Sequence, residues 1–460
     1  MAIADNACRS PRLALLLCLV LAPGGAHAKV SPEEAARLGK DLTPIGAVQA
    51  GNEDGSIPAW EGGLKTPPAN YEKDGLLVNP YADDKPLFTI TAENYQQYQD
   101  NLTAGQIALL QTYPDSFKIP VYPTRRSAAL PEFIYEETRK NAQRAELANE
   151  GNGIAGTVHG FPFPIPGSGR EVMWNHVLRY NTTGYRGFSN NAVVTPDGDY
   201  VVERSYFEFA MRYNDPDTTL ENFDNKNQFA FLKVVAPATK TGDAYLVHVP
   251  LDRKASDTGV WVYNAGQRKT RRIGEVGYDN PLFDGLMTHD QVDMFNGPLD
   301  RYSFKLVGKK EIFVPYNNYE FYSQQHSYDD LIGKGHLNNN LARYELHRVW
   351  VVEAEVIPGQ THIYPKRVFY IDEDSWQILL EDMYDTREEF WRTSESYAVV
   401  FYQVPVLINL MQVHYDLQSR QYVVLNMSNE EKKLIEWDVD LKTSYFNPQN
   451  LIKFATRMHR

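Results

Sequence analysis

The chain has 460 residues, of which 43% are hydrophobic and 23% charged, with 46 Lys and Arg against 59 Asp and Glu. This is globular composition, long enough for a large core, and it excludes wholesale disorder and a collagen-like repeat. A net charge of −13 speaks against a nucleic-acid backbone as partner, and two cysteines, Cys8 and Cys18, exclude a disulfide framework.

The first 28 residues read as a secretory signal peptide. Arg9 and Arg12 form its positive region, Leu13 to Leu21 its apolar run, and Ala26-His27-Ala28 its cleavage site. The apolar run is far short of the roughly 18 residues a membrane span needs. Leu17 stands where a lipobox wants a small residue, so Cys18 is not a lipidation site. Cleavage after Ala28 leaves 432 of the 460 residues, cysteine-free and exported to the periplasm. No later segment reaches membrane-spanning length.

Residues 29–165 read as a helix and loop elaboration. Ser31-Pro32-Glu33-Glu34 is a capping box with proline at the first helical position. Pro44 to Tyr71 is a Gly- and Pro-rich loop that can dock through Ile45, Val48, Ile57, Trp60 and Leu64. Thr91 and Thr103 look like helix N-caps, and Gln106 completes a second capping box. Pro131 to Glu150 is the longest predicted helix, closed by Gly151. Gly160 to Gly169 is a proline-rich crossover.

Residues 166–460 read as a sheet domain. Strands are predicted near 185–194, 200–211, 229–236, 244–249, 260–264, 303–307, 310–314, 346–357, 362–371, 376–384, 391–402, 411–417 and 421–427. Thr195-Pro196-Asp197-Gly198-Asp199 marks the sharpest hairpin. Pro365 falls inside a predicted strand, which suggests an edge or a bulge. No long helix separates these strands, so the sheet should be antiparallel and meandering. Val260 to Tyr263, Val349 to Val352 and Tyr397 to Tyr402 are apolar on both faces. Each face then needs cover, or one face lines an apolar cavity.

Chemical motifs are sparse. Gly151-Asn152-Gly153-Ile154-Ala155-Gly156 matches GxGxxG, but it follows a helix and runs into a loop, so the dinucleotide reading fails. His289-Asp290 with Asp293, and His326 with His336, do not have metal-ligand spacing, and no metal site is expected. Asp372-Glu373-Asp374 reads as a solvated turn. Gly167-Ser168-Gly169 lacks the spacing of a nucleophile elbow. Gly259 to Ile273, GVWVYNAGQRKTRRI, is the most informative stretch: an apolar strand, a turn, then Arg268, Lys269, Arg271 and Arg272. The four cations read either as a solvated turn or as a contact for an anionic headgroup or acidic partner.

GVWVYNAGQRKTRRI, Asp300 to Lys310 and VPYN at 314–317 resemble an uncharacterised family of exported Gram-negative proteins. That family is related to outer-membrane lipoprotein-sorting factors of the LolA/LolB type. LTPIGAVQAGNEDGSIPAWEGG at 42–63, FTITAENYQQY at 88–98, FKIPVYPTRRSAALP at 117–131, GFPFPIP at 160–166 and MWNHVLRY at 173–180 extend the resemblance. So do Phe369 to Trp376 and Met383 to Asp385, and the resemblance thus covers nearly the whole mature chain. It implies an α+β, mainly antiparallel, LolA-like fold: a strongly curved incomplete barrel with covering helices. It also implies a periplasmic carrier of a lipid or other hydrophobic compound, acting with an RND-type exporter and an outer-membrane partner protein.

On this reading Trp261, Tyr263, Val351, Phe369 and Tyr397 line the cavity. Arg268, Arg271 and Arg272 meet a partner or headgroup. No catalytic residue, cofactor or metal is required. A hydrolase of envelope glycans or esters would need a polar cleft with two close carboxylates or a Ser–His pair. An envelope assembly factor would use the sheet edge and the docked N-terminal loop.

Overall fold

A computed structural model describes residues 30–72, 75–239, 241–274, 277–433 and 435–457. The predicted signal peptide at 1–28 lies outside the described residues. The N-terminal stretch forms α1 (Pro32–Ala35), β1 (Phe88–Ile90), α2 (Ala104–Thr112), β2 (Ile119–Val121), α3 (Glu132–Arg144), β3 (Glu146–Ala148) and β4 (Gly153–Ala155). Then follow α4 (Gly169–Val177), β5 (Gly184–Val194), β6 (Tyr200–Met211), β7 (Lys226–Ala236), β8 (Ala244–Pro250), β9 (Gly259–Asn264) and β10 (Lys269–Ile273). After β11 (Pro281–Leu282), β12 (Met287–Thr288) and β13 (Tyr302–Pro315) come α5 (Tyr328–Leu331), β14 (Tyr344–Val356), β15 (Lys366–Asp372), β16 (Ile378–Tyr384) and β17 (Phe390–Phe401). β18 (Val406–Asp416), β19 (Gln421–Met427), β20 (Glu436–Trp437) and α6 (Pro448–Thr456) complete the described chain.

Sixteen strands form one sheet in the order β1-β2-β14-β15-β16-β17-β18-β19-β5-β6-β7-β8-β9-β10, with β13 also on β14 and β20 on β5. Its terminal strands β1 and β10 do not pair with each other, so the curved sheet stays unclosed. After β1 and β2 at one edge, the chain re-enters the sheet at β5 and runs outward to β10. It then crosses to β13 and returns strand by strand until β19 lies beside β5. Every pairing is antiparallel except the bridge between Val121 and Tyr344. The β5–β6 hairpin turns where its sequence predicts, with Gly198 at φ +94° and Thr195 N–H bonded to Asp199 O at 2.9 Å.

Local chemistry explains most departures from expectation. Ser31 and Thr103 cap their helices through full capping boxes, but Thr91 starts no α-helix. One turn of 3-10 helix forms instead at Tyr95–Gln97, with Asn94 at its N-cap position and no side-chain cap. α3 ends at Arg144 rather than Glu150, because 146–155 pairs as a hairpin. The two predicted strands at 303–314 are one strand, β13, bulged between Leu306 and Gly308, where Gly308 adopts φ +134°. Pro365 immediately precedes β15, and its carbonyl accepts from Val356 N–H at 2.9 Å. The strands β1 and β2 carry the N-terminal stretch into the sheet itself.

The two faces of the sheet are covered differently. One face carries α2 and α6: Gly105 N–H donates to Asp382 at 3.0 Å, and Lys233 Nζ donates to Arg457 O at 2.9 Å. The other carries α4 and the segment 282–300. There the Arg170 guanidinium lies 5.7 Å over the Phe304 ring, and Met294 N–H donates to Gln412 at 3.2 Å. The main apolar core is built on β13–β19 and includes the docked loop residues Ile45, Trp60 and Leu64. A smaller core under α6 stacks Phe231 on Phe446 and Phe454, with ring centroids 5.0 and 4.9 Å away.

Candidate functional site

The structure does not bring the five predicted lining residues together. Val351, Phe369 and Tyr397 are buried in the main core. Trp261 and Tyr263 belong to the smaller core on the α6 face, where Trp261 packs on His248 with ring centroids 4.9 Å apart. Two internal spaces found among the described residues are small. One of about 20 Å³ lies between Trp174, Leu251, Arg253 and Asp300, and one of about 10 Å³ between Leu130, Tyr180, Asp374 and Leu407. Each holds roughly one water, and none of the five residues borders either.

The opposite, α4 face of β6–β10 carries a different surface. Register places two apolar rows across these strands. The first runs Phe209, Ala230, Val247, Val260, Ile273, and the second Phe207, Leu232, Tyr245, Val262, Arg271. Phe209, Leu232, Val247, Val262 and Ile273 are all half-buried. Among the described residues, none of the two rows' side chains joins the main core or the core under α6. At one end an aromatic network leads in from the main core: Phe401 meets Trp437 at 4.9 Å, Trp437 meets Tyr185 at 5.2 Å, and Tyr185 stacks on Phe209 at 4.8 Å.

The predicted basic turn is largely a strand. Arg268 closes the turn at φ +50°, and Lys269–Ile273 is β10, the free edge of the sheet. Arg268, Lys269, Arg271 and Arg272 are all exposed. Strand alternation divides them. Arg272 lies on the α6 face, its guanidinium 5.4 Å over the Trp261 ring, while Lys269 and Arg271 project from the face of the apolar rows.

Three polar clusters are sealed inside the protein. Asp372, Glu373 and Asp374 are no solvated turn: all three are buried. Arg126 holds both oxygens of Asp374 at 2.7 and 2.8 Å, and Arg348 and Lys309 hold Glu373 at 2.6 Å each. His347 stacks on Tyr316, with ring centroids 3.9 Å apart. Its Nε2 lies 3.2 Å from Glu345 and its Nδ1 3.6 Å from Asp372. Burial alone would lower the His347 pKa, but these two carboxylates raise it to about 9. Donor atoms of His347, Asp372 and Asp374 lie within 4.8 Å of one another. The protonated imidazole and Arg126 already balance that negative charge, so the cluster reads as an internal ion-pair network.

On the α4 face, Arg367 joins Asp290 at 2.7 Å and Glu381 at 2.6 Å. Beside them Ser394 Oγ lies 2.8 Å from His414 Nδ1. This Ser–His pair is fully buried, and Glu381 bonds the serine at 3.3 Å rather than orienting the histidine. Burial and the neighbouring Arg367 and Arg392 push His414 down to about 3, so it stays neutral. Such a pair lacks both the orienting acid on the histidine and a path for substrate. The third cluster is Glu395, which accepts from Tyr397 and Tyr344 at 2.6 and 3.0 Å, with Asp382 on the same face. Burial raises both carboxyls to about 7. The sequence does not announce these groups, because their partners come from strands far apart in the chain.

The chain belongs to the family described as "Protein of unknown function (DUF1329)", whose model matches residues 89–452. It is similar to a Pseudomonas aeruginosa protein, "Uncharacterized protein PA3922", at 44% identity over 444 residues, covering 96% of this chain and 98% of that one. Among solved structures it is similar to a DUF1329 family protein from Desulfovibrio piger. That match has 14% identity, a TM-score of 0.40, and covers 59% of this chain and 92% of that one. A LolA superfamily protein from Nitrosomonas europaea matches at 13% identity and TM-score 0.37, covering 61% and 98%.

Proposed function

We propose that this member of the family is a periplasmic binding or carrier protein for a lipid or other hydrophobic compound, exported by the leader at residues 1–28. The observation that carries the reading is the pair of apolar rows on the α4 face of β6–β9. Phe207, Ala230 and Val260 in them are buried, Phe209, Leu232, Val247, Val262 and Ile273 are half-buried and Tyr245 is exposed; the rows run continuously across four strands and belong to neither large core. A contiguous apolar patch partly open to water favours a binding face. A hydrocarbon laid along it gains about 25 cal/mol for every Å² it buries. Neither of the two small internal spaces has room for such a ligand, which favours this face as its seat. An RND-type exporter and an outer-membrane protein are the partners this role calls for.

The test is a titration of the purified 29–460 chain with the neutral, environment-sensitive dye N-phenyl-1-naphthylamine, alongside native mass spectrometry of the protein as isolated. Saturable dye uptake is expected, and Val247→Asp should reduce it about tenfold, because a carboxylate in the middle of the row must be desolvated by the ligand. Circular dichroism checks that the variant folds. No uptake by the unaltered protein, or uptake indifferent to Val247→Asp, removes the proposal.

A further inference from the structure

Resting on that reading, we infer that the ligand is an anionic amphiphile with a single extended chain, whose charged end meets Arg271 and Lys269 at the free edge of the sheet. The geometry has a direction. The row that starts at Phe207 passes Leu232, the exposed Tyr245 ring and Val262 and ends on Arg271. It crosses five strands, so at strand spacing it is about 19 Å long. One leaflet of a bilayer's hydrocarbon, about 15 Å deep, fits within that length. A chain aligned with the row therefore places its head at Arg271 and its tail towards the aromatic residues around Phe207.

The charges at that end are available. Arg271 and Lys269 are exposed, and among the described residues neither has an ion-pair partner. β10 is the last strand of the sheet, so no further strand stands between these cations and a headgroup. The rest of the chain is acidic, with a net charge of −13, and repels anions elsewhere. Two cations at the end of an apolar row thus fix which way round an amphiphile lies. A carboxylate and a phosphate monoester share this chemistry. Arg271, with its planar fork, can bond two oxygens of either.

Displacement of bound N-phenyl-1-naphthylamine from the 29–460 chain tests this. The competitors are oleate, 1-oleoyl lysophosphatidate and oleyl alcohol, each below its own aggregation threshold. Both anions should displace the dye at about fivefold lower concentration than the alcohol, the factor expected for an exposed ion pair at the upper end of its range. That preference should vanish in the double variant Lys269→Glu, Arg271→Glu, and should shrink at about 0.5 M salt, where surface charges are screened. Both substitutions are at exposed positions, and dye binding itself reports that the apolar face is intact. The ratio of the two anions then tells carboxylate from phosphate. Equal displacement by the alcohol and the anions, or a preference that survives the double charge reversal, overturns the inference while leaving the carrier proposal standing. Failure of the dye to bind at all removes both.

Discussion

Glu395 offers the sharpest test of how the interior is built. It lies at the centre of β17, fully buried, with one oxygen bonded by Tyr397 and Tyr344 and the other, Oε1, without a partner. Burial raises its pKa from 4.5 to about 7, and the nearby Asp382 adds to the rise. In the unfolded chain the carboxyl ionises near pH 4.5, whereas the native protein keeps its proton until about pH 7. The native state therefore holds more protons across that window, and stability falls as pH rises through it. At about 1.4 kcal/mol per pH unit, the contribution present below pH 4.5 is reduced by about 3 kcal/mol once the pH exceeds 7.

Glu395→Gln removes this titration and keeps the shape. The amide oxygen still accepts from both tyrosines. Relative to the unaltered protein, the variant should gain about 2–3 kcal/mol between pH 5 and pH 8. Urea denaturation of both proteins at the two pH values, followed by tryptophan fluorescence, measures the difference, and titrating groups that do not interact with Glu395 cancel in the comparison. A stability difference independent of pH, or one that moves against the variant at pH 8, refutes the assignment of a neutral, buried Glu395.

Arg367→Met strands the buried Asp290 and Glu381 carboxylates without their cation. It should cost about 3–5 kcal/mol in urea denaturation, with partial recovery on adding Glu381→Gln. Arg126→Ala breaks the two bonds to Asp374 and those to the Val48, Gln49 and Pro58 carbonyls. The 44–60 loop should then become the first site cut in limited proteolysis, at a stability cost of about 3 kcal/mol; an unchanged cleavage pattern counts against the pinning role.

Much of the sheet was legible because its strands announce themselves locally. β5, β6 and β19 fall within a residue of their predicted bounds, since the Asp-Gly turn and the β-branched runs are short-range signals. What escaped depends on distant partners. β10 looked like a solvated turn because three of its five residues are Lys or Arg. It becomes a strand only through its ladder with β9, and cations on an edge strand also discourage unwanted pairing. Asp372-Glu373-Asp374 looked exposed for the same reason, since Arg126 and Lys309 arrive from 248 and 64 residues away in the chain. The apolar strand Val260 to Tyr263 was recognised, but which of its faces lies under α6 depends on register, and shifting by one residue exchanges Trp261 for Val262.

The contrast between the two halves of the α4 face argues for where the proposed hydrophobic ligand would lie. Under β15–β18 that face carries Arg367, Glu381, Ser394, Arg392, His414 and Asp416, all buried and bonded to one another or to the 282–300 segment. Laying a hydrocarbon there would mean displacing that segment and leaving Arg367 or Asp290 unpaired, at several kcal/mol for each stranded charge. Under β6–β9 the rows on the same face are Phe, Leu, Val and Ala with the exposed Tyr245, and no charged side chain stands in them before β10. One continuous face thus has a half locked by ion pairs and a half that is mainly apolar, with the Trp437–Tyr185 contact between them. The locked half holds the curved sheet in register, which leaves the open half free to meet a ligand without the fold depending on it.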